Sequence, residues 1–325
     1  MKESRGMSVD SKQTRLLALC AIREEGQSVD WSLVAREASR PGGLDSLERG
    51  MISETSSVAA ESRPLLERGL QHSEQAHERV AQEIEAAREV GARLVTVLDD
   101  DYPANLRLIP NLPPFLFILG DGPRAVDLRS VCVVGTRKAS EPGLQRARHM
   151  ARLLVEAGVT VVSGLARGID TSAHSAALDA GGRTIAVIGN GITSVYPREN
   201  EKLAQRIQEC GAVVSQFWPT SSPAKWTFPR RNAVMSGIAQ GTVVIEASST
   251  SGAKMQARLA LEHHKRVFLL SSLVTDQPWA RRYLDRGAVE VDDVEQVLTL
   301  LAEPERVIAV ADQRRSVAQL ALDLG

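Results

Sequence analysis

Two short turns of the sequence combine glycine with positively charged side chains. The first contains Gly135, Arg137 and Lys138, and the second spans residues 164–170 and includes Arg167. Glycine lets the backbone approach a ligand closely, and the backbone N–H groups of such turns attract anions, as do guanidinium and ammonium groups. We therefore expect both turns to bind phosphate groups.

A third segment, residues 225–232, places two aromatic side chains among three cations and contains no acid. It reads KWTFPRRN, and we expect most of it to belong to a loop at 221–231 that precedes a helix or turn at 232–238. Basic side chains neutralise phosphates and aromatic rings stack on unpaired bases, so this composition is typical of proteins that bind single strands. The alternative is a packed loop whose aromatic residues, Trp226 and Phe228, belong to the hydrophobic core.

Acid–base catalysis has a weaker basis in the sequence. Asp170 and His174 lie one helical turn apart and Ser163 is a conceivable nucleophile, but we favour a role for this pair in capping a helix and bracing a loop. The histidines and cysteines show no ligand spacing and the aspartates at 99–101 fit a solvent-exposed turn, so we expect no metal. The sequence contains neither a P-loop nor a GxGxxG motif, which argues against nucleotide hydrolysis and against a dinucleotide cofactor.

Strands must position these turns. An apolar run at residues 130–134 predicts a buried strand, amphipathic spacing at 144–157 predicts a helix, and residues 159–162 predict a second strand. This βαβ unit and the strand and helix patterns downstream predict an α/β protein with a parallel sheet and helices on both faces. Because the carboxyl ends of parallel strands meet at one edge, the two glycine turns should lie side by side there.

The patterns divide the chain into three parts. Residues 1–90 predict a small helical domain with flexible segments and one long helix at 65–90, whereas residues 91–302 contain the α/β pattern. Residues 303–325 form a short tail, in which we expect a helix at 313–322.

The charges are unevenly distributed along the 325 residues, although the net charge is only −1. Residues 135–270 hold 17 basic and 9 acidic side chains, and the rest of the chain holds 22 basic and 31 acidic ones. A basic centre between acidic flanks favours an anionic partner, although solvated arginines on helix surfaces would give the same pattern. Three well-separated cysteines and the lack of an apolar run of 18 residues predict a soluble protein of the reducing cytoplasm that does not enter a membrane.

Five ordered motifs show a resemblance to a known family. They are VGTRKAS, SGLARGIDTSAH, TIAVIGNGITSVYPREN, FPRRN and VIEASSTSG, and they lie within residues 134–252. With them the chain resembles the DprA/Smf family of DNA-processing proteins over roughly residues 92–290. The resemblance implies an extended Rossmann-like fold that binds single-stranded DNA, forms a homodimer and loads a RecA-type recombinase in transformation and recombination. It implies neither a catalytic activity nor a cofactor.

The resemblance also assigns roles to particular residues, since the family's DNA contacts fall on Arg137, on the SGLARGID turn and on FPRRN. The predicted DNA-binding residues are Gly135, Arg137, Lys138, Ser163, Gly164, Arg167, Gly168, Asp170, His174, Asn190, Lys225, Phe228, Arg230, Arg231 and Asn232. The chain departs from the family at residues 254–257, where Lys-Met-Gln-Ala replaces a frequent Leu-x-Thr-Ala. The tail after residue 303 leaves no room for the winged helix that is common in the family.

A second function stays open at this point. Related Rossmann-like phosphoribohydrolases bind and cleave nucleotides, and in such an enzyme Glu246 or Asp170 would serve as general acid or base. Those hydrolases carry a PGGxGT-x-x-E motif, whereas this chain has only EASSTSG at 246–252, so we expect the protein not to be an enzyme. A nucleotide-sensing role in a defence system is a further variant that the sequence leaves open.

Overall fold

The computed structural model describes residues 9–310 and residue 313; the predicted helix at 313–322 lies outside this part except for its first residue. The helices are α1 Ser11–Ala21, α2 Trp31–Ala38, α3 Gly43–Glu48, α4 Ser57–Leu70, α5 Ser73–Glu89, α6 Glu141–Glu156, α7 Ile169–Asp179, α8 Glu201–Cys210, α9 Thr227–Ile238, α10 Gly252–Glu262, α11 Ser271–Asp276, α12 Pro278–Leu284 and α13 Val294–Leu298. The strands are β1 Arg93–Thr96, β2 Phe115–Gly120, β3 Ser130–Val134, β4 Thr160–Ser163, β5 Thr184–Val187, β6 Ala212–Ser215, β7 Gly241–Val244, β8 Arg266–Leu270 and β9 Val289–Val291. None of the helices described is long and apolar enough to cross a lipid bilayer.

The strands of the described chain form one sheet in the order β1-β2-β6-β5-β4-β3-β7-β8-β9. From β6 to β9 neighbouring strands run parallel, whereas β2 pairs antiparallel with both β1 and β6. The chain moves outward from β3 to β6 and then returns to the other side of β3 with β7. Since right-handed crossovers in opposite directions put their helices on opposite faces, helices cover both sides. The predicted extended Rossmann-like α/β class is confirmed, with β1 and β2 as an antiparallel extension.

The central strands β3 to β7 are buried along their whole length. They consist mainly of small and β-branched side chains, as expected for parallel strands that are covered on both faces. Close packing also explains the glycine that follows β3. A Cβ added at Gly135 would lie 2.3 Å from the Cγ1 of Ile169 in α7 and 3.0 Å from the carbonyl oxygen of Glu246. Only glycine therefore fits between these two residues.

The N-terminal helices pack against the antiparallel edge of the sheet. The ring centre of Trp31 in α2 lies 5.0 Å from that of Phe115 in β2 and 5.8 Å from that of Trp218, which follows β6. The Glu83 carboxylate in α5 accepts hydrogen bonds from the backbone N–H and the hydroxyl of Thr220. The helical region and the sheet therefore share one hydrophobic core. The division into separate domains stays a sequence-based prediction.

The prediction of one long helix at residues 65–90 is wrong. Two helices, α4 and α5, occupy this segment and are separated by residues 71–72. Tight packing at the end of α4 accompanies the break. A Cβ added at Gly69 would lie 2.1 Å from the Cγ2 of Ile22, so glycine lets the last turn of α4 approach the end of α1 closely. The chain then reverses, and α5 packs along α1.

Candidate nucleic-acid interface

A cavity of about 380 Å³ lies at the carboxyl edge of the sheet, beyond the ends of β3 and β7. The strand order changes direction here, because β4 lies on one side of β3 and β7 on the other. Open α/β sheets bind ligands at such switch points. Several of the predicted residues line this one cavity: Gly135, Arg137, Asp170, Phe228, Arg231 and Asn232.

Arg137 and Phe228 contact each other in the wall of the cavity. The Cζ of Arg137 lies 5.2 Å from the centre of the Phe228 ring, within the range of a cation–π interaction. The ring centre of Tyr196 lies 6.0 Å from that of Phe228. A smaller cavity of about 50 Å³ lies between these three residues and Arg167. The site therefore combines exposed guanidinium groups with two aromatic rings.

The segment that carries Phe228 begins a helix. The predicted boundary between a loop at 221–231 and a helix or turn at 232–238 is wrong, because α9 begins at Thr227. Thr227 is buried and its hydroxyl donates to the Gly189 carbonyl oxygen, which anchors the helix start. A Cβ added at Gly189 would lie 2.8 Å from the Phe228 ring. Phe228 is half-buried, so one part of its ring packs on Gly189 and another part faces the cavity.

Arg231 and Asp170 lie beneath the turn that follows β4. Arg231 is only 6% exposed, and its Nη1 donates to the carbonyl oxygens of Gly164 at 2.5 Å and Val187 at 3.0 Å. One oxygen of Asp170 accepts from the backbone N–H groups of Gly164 at 3.1 Å and Ala166 at 3.4 Å. Burial raises the pKa of Asp170, while the Arg231 charge acts in the opposite direction. Both side chains hold the turn from inside the fold.

Three predicted DNA contacts need correction because their side chains are fully buried: Ser163, His174 and Asn190. The Ser163 hydroxyl donates to the carbonyl oxygen of Val133 at 2.7 Å, and the His174 Nδ1 lies 2.7 Å from the hydroxyl of Thr184. The Asn190 amide donates to backbone carbonyls of its own loop. Burial lowers the pKa of His174 to about 3, so this side chain stays neutral. Ser163 links β4 to β3, His174 links α7 to β5, and Asn190 braces its loop, so Ser163 and His174 do not form a nucleophile–base pair.

Exposed cations lie close in sequence to the residues that line the cavity. Lys138 and Lys225 are exposed, and the Cζ of Arg230 lies 5.3 Å from the centre of the Trp226 ring. Trp226 is 57% exposed, so its interpretation as a core residue is wrong. An exposed ring with a guanidinium group beside it is a surface on which an unpaired base could stack.

Arg167 and Gly168 belong to the turn after β4, whereas Asn232 lies in α9. Arg167 forms an exposed ion pair with Glu199 at 2.7 Å, which offsets part of its charge. Gly168 has a φ of +76°, and a Cβ there would lie 2.4 Å from the carbonyl oxygen of Thr136, so glycine allows the two turns to touch. The Asn232 amide donates to the backbone at the start of α10 at 3.4 Å.

The candidate acid–base groups are engaged in structural contacts. The Glu246 carboxylate accepts hydrogen bonds from the hydroxyl of Ser140 at 2.7 Å and from its backbone N–H at 3.2 Å, at the N-terminus of α6. These contacts give the Glu246 carboxylate a structural role as an acceptor at the start of this helix. Within the described residues, no three His, Cys, Asp or Glu side chains are grouped as metal ligands.

Gln256 in α10 is a further site residue, and it is absent from the residues predicted from the sequence. Gln256 lines the cavity and is 1% exposed, and neither its amide oxygen nor its amide nitrogen has a hydrogen-bond partner among the described residues. An unpaired buried amide costs roughly 1–3 kcal/mol, so its presence in the wall of a cavity points to a ligand or a bound water. The available signal was the departure at residues 254–257, where glutamine replaces the threonine that is frequent in the family.

Comparison with known proteins gives the chain's relatives. The family model described as DNA recombination-mediator protein A matches residues 93–302. DNA processing protein DprA of Bacillus subtilis (strain 168) is 34% identical over 71% of this chain and 78% of that protein. Protein Smf of Escherichia coli (strain K12) is 36% identical over 63% of this chain, which spans 55% of that protein. DprA of Streptococcus pneumoniae (strain ATCC BAA-255 / R6) is 39% identical over 56% of this chain and 64% of that protein.

Two solved structures share the fold. DprA of Streptococcus pneumoniae aligns with a TM-score of 0.69 at 27% identity and covers 91% of this chain and 100% of that chain. DprA of Helicobacter pylori, described for its single-stranded DNA binding mode, aligns with a TM-score of 0.56 at 25% identity over 63% of this chain and 94% of that chain. From the family model, the identities and the shared fold it follows that this chain belongs to the DprA/Smf family of DNA-processing proteins.

Proposed function

We propose that the protein binds single-stranded DNA along the carboxyl edge of its sheet and acts without catalysis. The observation that carries this proposal is the contact between Arg137 and Phe228 in the cavity wall. A guanidinium group binds phosphate, and an aromatic ring stacks on an unpaired base, so the pair provides both contacts that a single strand needs. The single-stranded DNA binding mode described for the Helicobacter pylori relative supports the proposal.

The groups of the site take different parts in this proposal. Arg137 and Lys138 bind phosphates, Phe228 stacks on a base, and Arg230 extends the positive surface. Residues 251–253 at the start of α10 also line the cavity, and the N-terminus of a helix attracts phosphate. Arg231 acts from beneath, because its buried guanidinium holds the turn and adds positive potential.

Membership of this family supports further proposals about the protein's partners and its location in the cell. We infer that it loads a RecA-type recombinase onto single-stranded DNA as a homodimer in the cytoplasm. The rival role, a nucleotide hydrolase, has less support because the Glu246 carboxylate is occupied at the N-terminus of α6. Incubation with nucleoside monophosphates separates the two, since release of free base would contradict a non-enzymatic role.

Fluorescence anisotropy tests the proposed binding. An unpaired oligonucleotide and its duplex are titrated with the protein at several salt concentrations, and we expect the unpaired one to bind more tightly. Phe228→Ala should weaken single-strand binding by about 1–3 kcal/mol through the loss of stacking, whereas Phe228→Tyr should retain most of it. Equal affinities for the two DNA forms, together with no effect of Phe228→Ala, would contradict the proposal.

A further inference from the structure

Three guanidinium groups from separate elements converge where the helical region meets the sheet. Arg23 follows α1, Arg79 lies in α5 and Arg230 lies in α9. The Cζ of Arg79 is 5.4 Å from the centre of the Trp218 ring, and the Cζ of Arg230 is 5.3 Å from that of Trp226. We refer to Arg23, Arg79 and Arg230 as the arginine seam.

Adjacent residues connect the two arginine–tryptophan pairs. Trp218 directly follows Phe217, whose ring centre lies 5.8 Å from that of Trp226. The pair formed by Arg79 and Trp218 therefore lies next to the pair formed by Arg230 and Trp226. A cavity of about 350 Å³ adjoins the seam and is lined by Arg23 and Arg79.

The charges of the seam are close together and poorly compensated. Burial and the neighbouring charges of Arg79 and Arg230 lower the pKa of Arg23. None of the three arginines forms an ion pair within the described residues. The adjoining cavity has one acidic residue in its lining, Glu24. Like charges held together destabilise a fold, and a bound polyanion removes this cost.

We propose that the arginine seam is a second phosphate-binding segment, which extends the path of single-stranded DNA from the Phe228 cavity onto the N-terminal helices. This inference rests on the proposed function. Arg230 lies two residues after Phe228 in α9, so the seam begins close to the cavity. The exposed Trp226 ring lies along this path and offers a stacking surface, which favours a strand over a free nucleotide.

Oligonucleotides of two lengths test the inference. Oligothymidylates of about 6 and about 24 nucleotides bracket the usual site sizes, so that only the longer one reaches from the cavity to the seam. For the double variant Arg23→Gln/Arg79→Gln, we expect the slope of log affinity against log salt to fall by about 1.4 with the longer probe, which corresponds to two phosphate contacts. The slope with the shorter probe should not change.

Two further variants control for charge and for folding. Arg206→Gln removes one exposed, ion-paired arginine of α8 and should leave both slopes unchanged. Arg23→Lys/Arg79→Lys retains the charges and should retain the slope with the longer probe. The melting temperature of the glutamine variant should equal or exceed that of the wild type, because like-charge repulsion is relieved.

The outcomes separate this inference from the proposed function. If the wild type binds both probes and the glutamine variant shows the wild-type slope with the longer one, the seam is not part of the DNA path. If the wild type binds neither probe, the proposed function fails and the inference fails with it.

Discussion

The guanidinium carbon of Arg137 and the ring centre of Phe228 lie 5.2 Å apart, although the two residues belong to different crossovers of the sheet. Arg137 follows β3, and Phe228 lies in the first turn of α9, which leads into β7. Because β3 and β7 are adjacent and parallel, the end of one and the helix before the other meet at the switch point. A ligand in the cavity therefore meets the cation and the ring together.

Replacement of Arg137 by alanine should weaken binding to single strands of any sequence. Loss of one phosphate contact should reduce the salt slope by about 0.7 for a single strand. Anisotropy titrations at several salt concentrations measure this slope. Arg206→Ala is the matched control, because it removes an exposed arginine that is paired with Asp179 on the surface. Equal losses in the two variants would indicate a general charge effect and would remove Arg137 from the site.

Local patterns predicted the elements that carry the site. The strand at 130–134 was predictable because buried parallel strands are continuously apolar. The glycine after it marked the end of this strand, and the structure shows that it packs against Ile169. The turn after β3 was expected to meet the turn after β4, because the carboxyl ends of parallel strands lie at one edge of the sheet. Asp170 was correctly expected to brace its turn, since it accepts backbone hydrogen bonds there.

Features that depend on long-range packing were not predictable. Arg231 looks like any phosphate-binding arginine in sequence, yet the fold buries it against Gly164. The start of α9 at Thr227 depends on a hydrogen bond to the distant Gly189. His174 has an ordinary helical spacing, and only the three-dimensional packing shows that it is fully buried.

Gly164→Ala should destabilise the fold strongly. A Cβ at this position would lie 1.6 Å from the Nη1 of Arg231, so the guanidinium must leave the two carbonyl groups that it binds. Displacing a buried, hydrogen-bonded cation should cost roughly 3–5 kcal/mol. Denaturant unfolding measures this loss of stability.

Gly252→Ala is the control, since a Cβ there meets nothing within 4 Å, and the unfolding free energy of this variant should match or exceed that of the wild type. Similar stabilities for both variants would contradict the close packing of Gly164 against the Arg231 guanidinium.

The buried His174 should make stability depend on pH. Its pKa of about 3 lies below the value of about 6.5 for an unfolded chain, so between these values the unfolded state binds more protons. The free energy of unfolding therefore falls as the pH decreases through this window, by about 1 kcal/mol between about pH 7.5 and 5.5. Asp170 acts in the opposite direction, because burial raises its pKa.

His174→Asn isolates the contribution of His174 to this pH dependence, because Asp170 is present in both the wild type and the variant. Urea unfolding at several pH values should show a pH dependence that is smaller in the variant by about 1 kcal/mol over the same interval. Parallel curves for the two proteins would show that folding does not lower the pKa of His174.

Gln256→Met should stabilise the protein and weaken its binding to DNA. The amide of Gln256 has no partner among the described residues, and its removal eliminates two unpaired polar atoms from a buried site, which should raise the unfolding free energy by roughly 1–3 kcal/mol. The same amide lines the cavity, so a ligand that it contacts should bind less tightly to the variant.

Gln240→Met is the control with the opposite sign, because the Gln240 amide is hydrogen-bonded to the backbone of Leu128 and Ala302 and its loss should destabilise the fold. Thermal melts and anisotropy on both variants measure the two effects. Destabilisation by Gln256→Met with unchanged DNA affinity would mean that the amide serves the core instead of the ligand.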